Sequence, residues 1–369
     1  MTEFDIIIVG AGSAGAVLAN RLSENPQLSV CLIEAGPKDT SLAIHVPFGI
    51  AAIASMKSIN WGFHTHSEAN LNDRPMFWPR GKTLGGSSSI NAMCYIRGAA
   101  QNYDDWAASG LTGWAWNDVL PYFKKSEDNS RGESDFHSVG GCQSVSDLKH
   151  INPLSHDFVA SSVSNGLAGS TDFNAQNQEV VGIYQVTQRN GSRCSTAKGF
   201  LSDDIKARTN LHIMTDVEVK RVILDGNTAT GIEVVANNTK QFLFARKRVI
   251  LSAGTIGSPQ ILMQSGIGNT DHLQSLGIAV KAHLPGVGQN LQDHLDGTIL
   301  FKTQTRQSYG LSVPALLKNA LEPLNYWLHK EGMFTSNIAE GGAFLKSTPE
   351  MTLPNIQLHF VPALLIDHG

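Results

Sequence analysis

The sequence has no surplus of charge: Lys and Arg number 28, Asp and Glu 32, a formal net of −4. Holding nucleic acid takes a basic field that displaces phosphate counterions, so no nucleic-acid partner is expected. The densest basic stretch, Arg246-Lys247-Arg248, adjoins an apolar strand and reads as its solvated end. Cysteine is scarce. Cys31, Cys94, Cys142 and Cys194 stand far apart with no C-x-x-C pairing, which removes a zinc site or redox dithiol and suits a reducing compartment. There is no internal repeat, no low-complexity tract and no apolar run long enough for a transmembrane segment. The opening MTEFDIIIVGAGSAG carries acids where a signal peptide needs bases, so the N-x-S/T matches at Asn190 and Asn237 carry no weight. A cytoplasmic protein is expected.

What the chain has is core and glycine. Of its 369 residues, 41% are hydrophobic and 16% charged, and at about 150 residues per domain the length suggests two domains or three. The 35 glycines are clustered. Residues 4–9 read as a buried parallel strand, a helix follows from Ser13 to Ser23, and a second strand runs from Ser29 to Ile33. In this βαβ unit Gly10-Ala11-Gly12-Ser13-Ala14-Gly15 fits G-x-G-x-x-G, and Glu34 closes the second strand. Gly10 makes the tight turn, Gly12 admits a pyrophosphate to the backbone, and Gly15 lets helix and strand pack closely. Ser13 and Ala14 open the helix whose free N–H groups and positive dipole end face the phosphates. Glu34 suits ribose hydroxyls and opposes a 2′-phosphate, which argues against NADP; NAD and FAD both stay open.

A second cluster, Gly85-Gly86-Ser87-Ser88, leads into an expected helix near Ser88. Gly81-Lys82-Thr83 resembles the end of a P-loop, but the glycine that loop needs five positions earlier is Met76. Two separate sets of backbone donors fit FAD more naturally than NAD. Pro37 to Pro79 is irregular and reads as a functional loop or lid, with an apolar patch at 46–56. A helix is expected over 116–125, alternating strands over 183–188 and 211–251 with a turn at Asp225-Gly226-Asn227, and a buried strand at Val249-Ile250-Leu251. Ser258-Pro259 is expected to open a helix with proline first. Residues 313–330 carry a helical pattern and 355–365 alternate like a strand, after which the chain stops at Gly369.

Residues 81–104 resemble the first signature of the glucose-methanol-choline (GMC) family of FAD-dependent oxidoreductases, and Trp78-Pro79-Arg80 resembles its choline and alcohol dehydrogenase branch. Residues 254–268 resemble the second signature; Leu284 to His294 and Asn190 to Ser195 resemble further family elements. The resemblance implies an α/β fold, α+β overall: a Rossmann-like FAD-binding domain over 1–155 and 211–295, and a discontinuous substrate-binding domain on an antiparallel sheet over 156–210 and 296–369. It places the pyrophosphate on Gly10, Gly12 and Gly15, the ribose on Glu34 and the adenine at Val217. Gly85, Gly86 and the run Asn91-Ala92-Met93-Cys94 would line the flavin half. Some members attach FAD through a histidine where this chain has Ile90, so non-covalent FAD is expected.

The implied chemistry is oxidation of the CH–OH group of a small-molecule alcohol by hydride transfer to flavin, assisted by a general base. The family's base is a histidine in the C-terminal third, expected beyond Gly369, since the chain resembles the N-terminal two-thirds of full-length members. No catalytic residue and no metal ligand is named. His64, His66, His283, His294 and His359 read as surface or capping histidines. Trp61, Phe63, Trp78 and Tyr95 are candidates for a substrate wall: an aromatic cage suits choline, an apolar pocket a longer aliphatic alcohol. The electron acceptor, quinone or oxygen, stays open, and the 46–56 patch leaves room for peripheral contact with the inner face of a membrane. Two rival readings are a non-redox flavin-containing lyase of the same fold and a catalytically inactive flavin-binding remnant.

Overall fold

The computed structural model describes residues 2–53, 55–310, 315 and 319–364. The chain forms two compact units, one of Met1–Thr40, Ser55–Ile90 and Thr196–Gly297, the other of Ser41–Ala54, Asn91–Ser195 and Thr298–Gly369.

The first unit is built on a six-stranded sheet in the order Leu211–Met214, Val30–Ile33, Thr2–Val9, Thr239–Leu251, Thr228–Ala236, Val217–Asp225. The first four strands run parallel and the last three form an antiparallel meander. The second half of the strand Thr2–Val9, Ile6-Ile7-Ile8-Val9, is apolar because it is buried on both faces, with Ile7 and Ile8 wholly enclosed. Truncating either isoleucine to alanine removes about 2–5 kcal/mol. The helix Ser13–Leu22 turns Gly15, Ala16, Ala19 and Asn20 inward; these small side chains let it lie close to the sheet. In the meander, Gly226 (φ 57°) turns the first hairpin, and Asn237 and Asn238, both left-handed, turn the second.

Four local expectations need correction. The strand expected over 183–188 forms only at its two ends, Val181–Ile183 and Gln188–Arg189, because Val186 between them pairs singly with Cys94 and Ser146 rather than along a ladder. After Gly85 the chain makes only a 3-10 turn, Gly86–Ser89, and the next α-helix begins at Ala100. Serine side chains hydrogen-bonded to nearby carbonyls compete there with helix propagation: Ser88 Oγ donates to Gly85 O and Ser89 Oγ to Leu84 O. The helix Gly254–Gln264 starts before Ser258-Pro259, so Pro259 lies inside it. Ser258 Oγ instead accepts the Ala253 N–H at 3.0 Å. Val249 to Leu251 are half-buried, and the basic triplet lies within their strand, where Arg246 pairs with Glu3 and Asp5.

The second unit carries a three-stranded antiparallel sheet in the order Ile356–Phe360, Gly341–Leu345, Val181–Ile183. Against it packs the helix Pro153–Ser164, opened by proline and capped by Asn152, with Phe158 stacked on Phe360 at 4.9 Å. Two further helices, Ala100–Ala108 and Trp116–Ser126, flank a buried ionic group. There Arg97 Nη2 meets Glu127 Oε2 at 2.6 Å, and His137 lies between Glu127 and Asp172, 2.9 Å from each. Of the helical pattern over 313–330, the structure forms Glu322–His329; residues 313, 314 and 316–318 lie outside the described residues, as does Leu365 at the end of the expected strand.

Candidate functional site

The first strand ends at Gly10, whose φ of 94° favours glycine; a Cβ there would lie 2.6 Å from the Ser252 carbonyl oxygen. A side chain at Gly15 would overlap the Gly10 carbonyl. Gly12 is different. Its φ is −71°, and an added Cβ would meet only the Gly86 α-carbon, at 3.9 Å. Packing within the protein gives no reason for a glycine there, so the space it leaves is a cradle. The helix beginning at Ser13 has no side-chain cap, and Ser13 and Ala14 are exposed. Its first-turn N–H groups and the positive dipole end are thus available to an anion.

Glu34 borders this turn. It is 5% exposed; Oε2 accepts the Ala11 N–H at 3.0 Å and Oε1 the Gly36 N–H at 2.9 Å. Burial pushes its carboxyl up to about 7, opposed by those amides and by the Lys82 ammonium. Each oxygen keeps acceptor capacity for a hydroxyl. The Glu34 carbonyl accepts the Val217 N–H at 3.0 Å, which places the predicted adenine contact beside the predicted ribose acid.

The second glycine cluster meets the first within this unit. Gly85 N–H donates to Ala11 O at 2.8 Å, and Gly86 lies so close to Gly12 that a Cβ would approach its α-carbon to 2.8 Å. Ser88 Oγ ties the turn to Thr196, 2.9 Å from its hydroxyl, and Ser252 Oγ holds Gly10 O at 2.9 Å. Sequence reasoning missed Thr196 and Ser252. Their only signal is a hydroxyl residue at the start of a helix and at the end of a strand.

The run Asn91-Ala92-Met93-Cys94 belongs to the second unit. Asn91 Oδ1 accepts the Met93 N–H at 3.1 Å, and Met93, buried, is left-handed with φ 61°. The Ala92 carbonyl accepts from Asn337 Nδ2 at 2.7 Å. Cys94 Sγ lies 3.4 Å from Ala339 O, and burial pushes its thiol up to about 12, so it is no nucleophile. Arg193, also missed, grips this turn from within the same unit.

His64, His66, His283, His294 and His359 are all exposed, and we assign no base among the described residues. Nor do the described residues group three or more His, Cys, Asp or Glu in a way that could hold a metal ion. Trp61 stacks on Phe63 at 5.6 Å and carries Lys82 over its ring at 4.5 Å; Arg80 covers Trp78 at 5.3 Å.

A family model described as GMC oxidoreductase matches residues 4–296. The chain belongs to the GMC oxidoreductase family. It is 46% identical to the alcohol dehydrogenase [acceptor] of Pseudomonas putida, over 99% of this chain and 67% of that one. It is 42% identical to the oxygen-dependent choline dehydrogenase of Ectopseudomonas mendocina, over 100% of this chain and 66% of the relative. Among solved structures, an FAD-dependent oxidoreductase from Chaetomium thermophilum superposes with a TM-score of 0.82 at 30% identity, covering 92% of this chain and 61% of the other. The chain thus spans about two thirds of the length of the relatives it matches. Membership of this GMC family makes FAD the cofactor and the α/β flavoenzyme fold the architecture, as the sequence motifs imply.

Proposed function

We propose that this chain contributes the FAD-binding part of an oxidoreductase that oxidises the CH–OH group of an alcohol. The observation that carries the reading is the cradle at Gly12: a glycine without a packing reason, at an uncapped helix start, bordered by the buried Glu34 carboxylate. Gly10, Gly12, Ser13, Ala14 and Gly15 would hold the pyrophosphate, Glu34 the adenosine ribose and Val217 the adenine. Gly85 and Gly86 would support the turn toward the flavin, and Asn91 to Cys94 would present their backbone to its ring. FAD, when bound, supplies the two-electron acceptor for the substrate's carbon–hydrogen bond. The bond to flavin is non-covalent in this reading, because Ile90 has no nucleophilic atom.

A primary aliphatic alcohol fits better than choline. The Trp61 ring is already engaged by Phe63 and Lys82, and Trp78 by Arg80, so a quaternary ammonium would have to compete with protein cations for those faces. The relative that is 46% identical is an alcohol dehydrogenase. No described helix is long and apolar enough to cross a membrane.

The test is anaerobic. The FAD-loaded protein is mixed with octanol or with choline, and the visible flavin band is followed. Bleaching by octanol and not by choline is expected. Bleaching by choline alone overturns the substrate ranking. A colour unchanged by either overturns the oxidoreductase reading in favour of a lyase or a non-catalytic flavoprotein. Acid precipitation should leave the flavin in the supernatant.

A further inference from the structure

In the second unit, one buried carboxylate pins the loop formed by residues 335–340. Glu340 accepts from four neutral donors: the Asn152 N–H and Ser155 Oγ, both at 2.7 Å, the Tyr309 hydroxyl at 2.6 Å and Ser336 Oγ at 2.5 Å. Ser336 Oγ in turn accepts the Ile338 N–H at 2.9 Å. So held, Ile338 sits at φ 68°, a left-handed conformation that β-branched residues avoid. Backbone strain of this kind persists only where the surroundings over-determine it. What the loop delivers is Asn337. That side chain is 1% exposed, and its Nδ2 donates to Ala92 O at 2.7 Å and to Ala339 O at 3.0 Å. Two carbonyls can only accept, so the nitrogen must face them and the amide has one orientation. Oδ1 is then turned away from them, buried and with no donor among the described residues. An acceptor closed off from water in this way is costly. It belongs to the same amide that grips the Ala92 peptide, so it lies beside the run assigned to the flavin.

We propose that Asn337 is a binding residue of the flavin half of the site, its Oδ1 accepting an N–H or O–H of the molecule that lies against the Ala92 turn. The inference rests on the assignment of Asn91 to Cys94 to the flavin. Two donors meet that description. Oxidised flavin carries one N–H on its ring system, that of its imide, and the alcohol carries its hydroxyl. A neutral amide oxygen is too weak a base to take a proton from either, so Asn337 orients its partner and moves no proton.

The test sets each donor against its methylated twin, which lacks the hydrogen. For the imide the pair is FAD and FAD methylated at that nitrogen, titrated into the cofactor-free chain and read by flavin fluorescence. For the hydroxyl the pair is a tertiary octanol, which has no hydrogen on its carbinol carbon to transfer, and its methyl ether. Their binding to FAD-loaded protein is read by perturbation of the visible flavin band. In the unsubstituted chain one of the two pairs should differ in affinity by about tenfold or more. Asn337→Leu keeps the bulk and loses the acceptor, so that preference should fall below about twofold. The pair that responds names the donor. Preferences that survive in Asn337→Leu come from steric fit and overturn the inference, as does the lack of a preference in both pairs. Where Asn337→Leu does not fold, Asn337→Asp keeps an acceptor and adds charge. A charge-assisted bond is stronger, so the preference should widen by about threefold, and an unchanged preference overturns the inference equally. Failure of the unsubstituted chain to take up FAD is a different result, and it overturns the site assignment on which the inference depends.

Discussion

Two glycines of one fingerprint do different work, and substitution separates them. Gly15→Ala drives a methyl group into the Gly10 carbonyl and should destabilise the cofactor-free chain by about 3 kcal/mol. Gly12→Ala meets no close contact, so melting should stay within about 2 °C of the parent while FAD affinity falls about tenfold or more. Thermal melts with and without FAD check both. Glu34 adds a pH signature. Its folded-state carboxyl is raised from 4.5 to about 7, so its stabilising contribution is complete below pH 4.5 and is lost as pH rises through 7. Holding it ionised costs the empty site about 3 kcal/mol. In the proposed site ribose hydroxyls would donate to the ionised form, beside the Ala11, Gly36 and Ala35 amides and the Lys82 ammonium. The thermal shift produced by FAD should therefore grow between about pH 6 and 8, and Glu34→Gln should flatten it. The positions of these glycines were legible in the sequence because a tight turn and a close helix–strand approach demand glycine at fixed spacing, and Glu34 because it closes the second strand of the same unit. Arg193 was not, since its partner Asn91 is 102 positions away and nothing local marks the pairing.

At the level of elements, the strands of the six-stranded sheet and the first helix follow the apolar pattern closely, the strand expected over 183–188 forms only at its ends, and the two displaced helix starts share a cause. Side-chain oxygens decide them. Serines 88 and 89 bond to preceding carbonyls and stop a helix that glycine and serine propensity already disfavours. Ser258 turns back to the Ala253 amide, which lets the helix begin ahead of its proline. The buried ionic group of the second unit has no local sequence signature because Arg97, Glu127, His137 and Asp172 come from four separate segments. It has a measurable consequence. Asp172 and Glu127 raise the His137 imidazole from 6.5 to about 9. Its contribution is fully present below pH 6.5 and is lost as pH rises through 9, an amount of about 3 kcal/mol for an imidazole 7% exposed. The melting temperature should fall across that interval, and His137→Gln should lower it below pH 7 and remove the slope.

For the whole molecule, two compact units each carry part of the predicted cofactor-binding set: one the glycine turns, Glu34 and Val217, the other the Asn91 turn with its arginine. The family and the FAD fold were readable from three motifs in order, because a cofactor imposes the same backbone demands wherever it is bound. The substrate was not readable, because aromatic residues that look like a cage in the sequence turn out to be engaged with Lys82 and Arg80. FAD present at about 100 times its dissociation constant should stabilise the chain by about 2.7 kcal/mol. The most direct measurement is a titration of the cofactor-free chain with FAD, followed by flavin absorbance and equilibrium dialysis, with NADP as the competitor. One FAD per chain, undisturbed by NADP and released by acid, is the predicted result. No retained FAD, or displacement by NADP at comparable concentration, would contradict the assignment of the Gly10–Gly15 turn and Glu34 to a flavin dinucleotide.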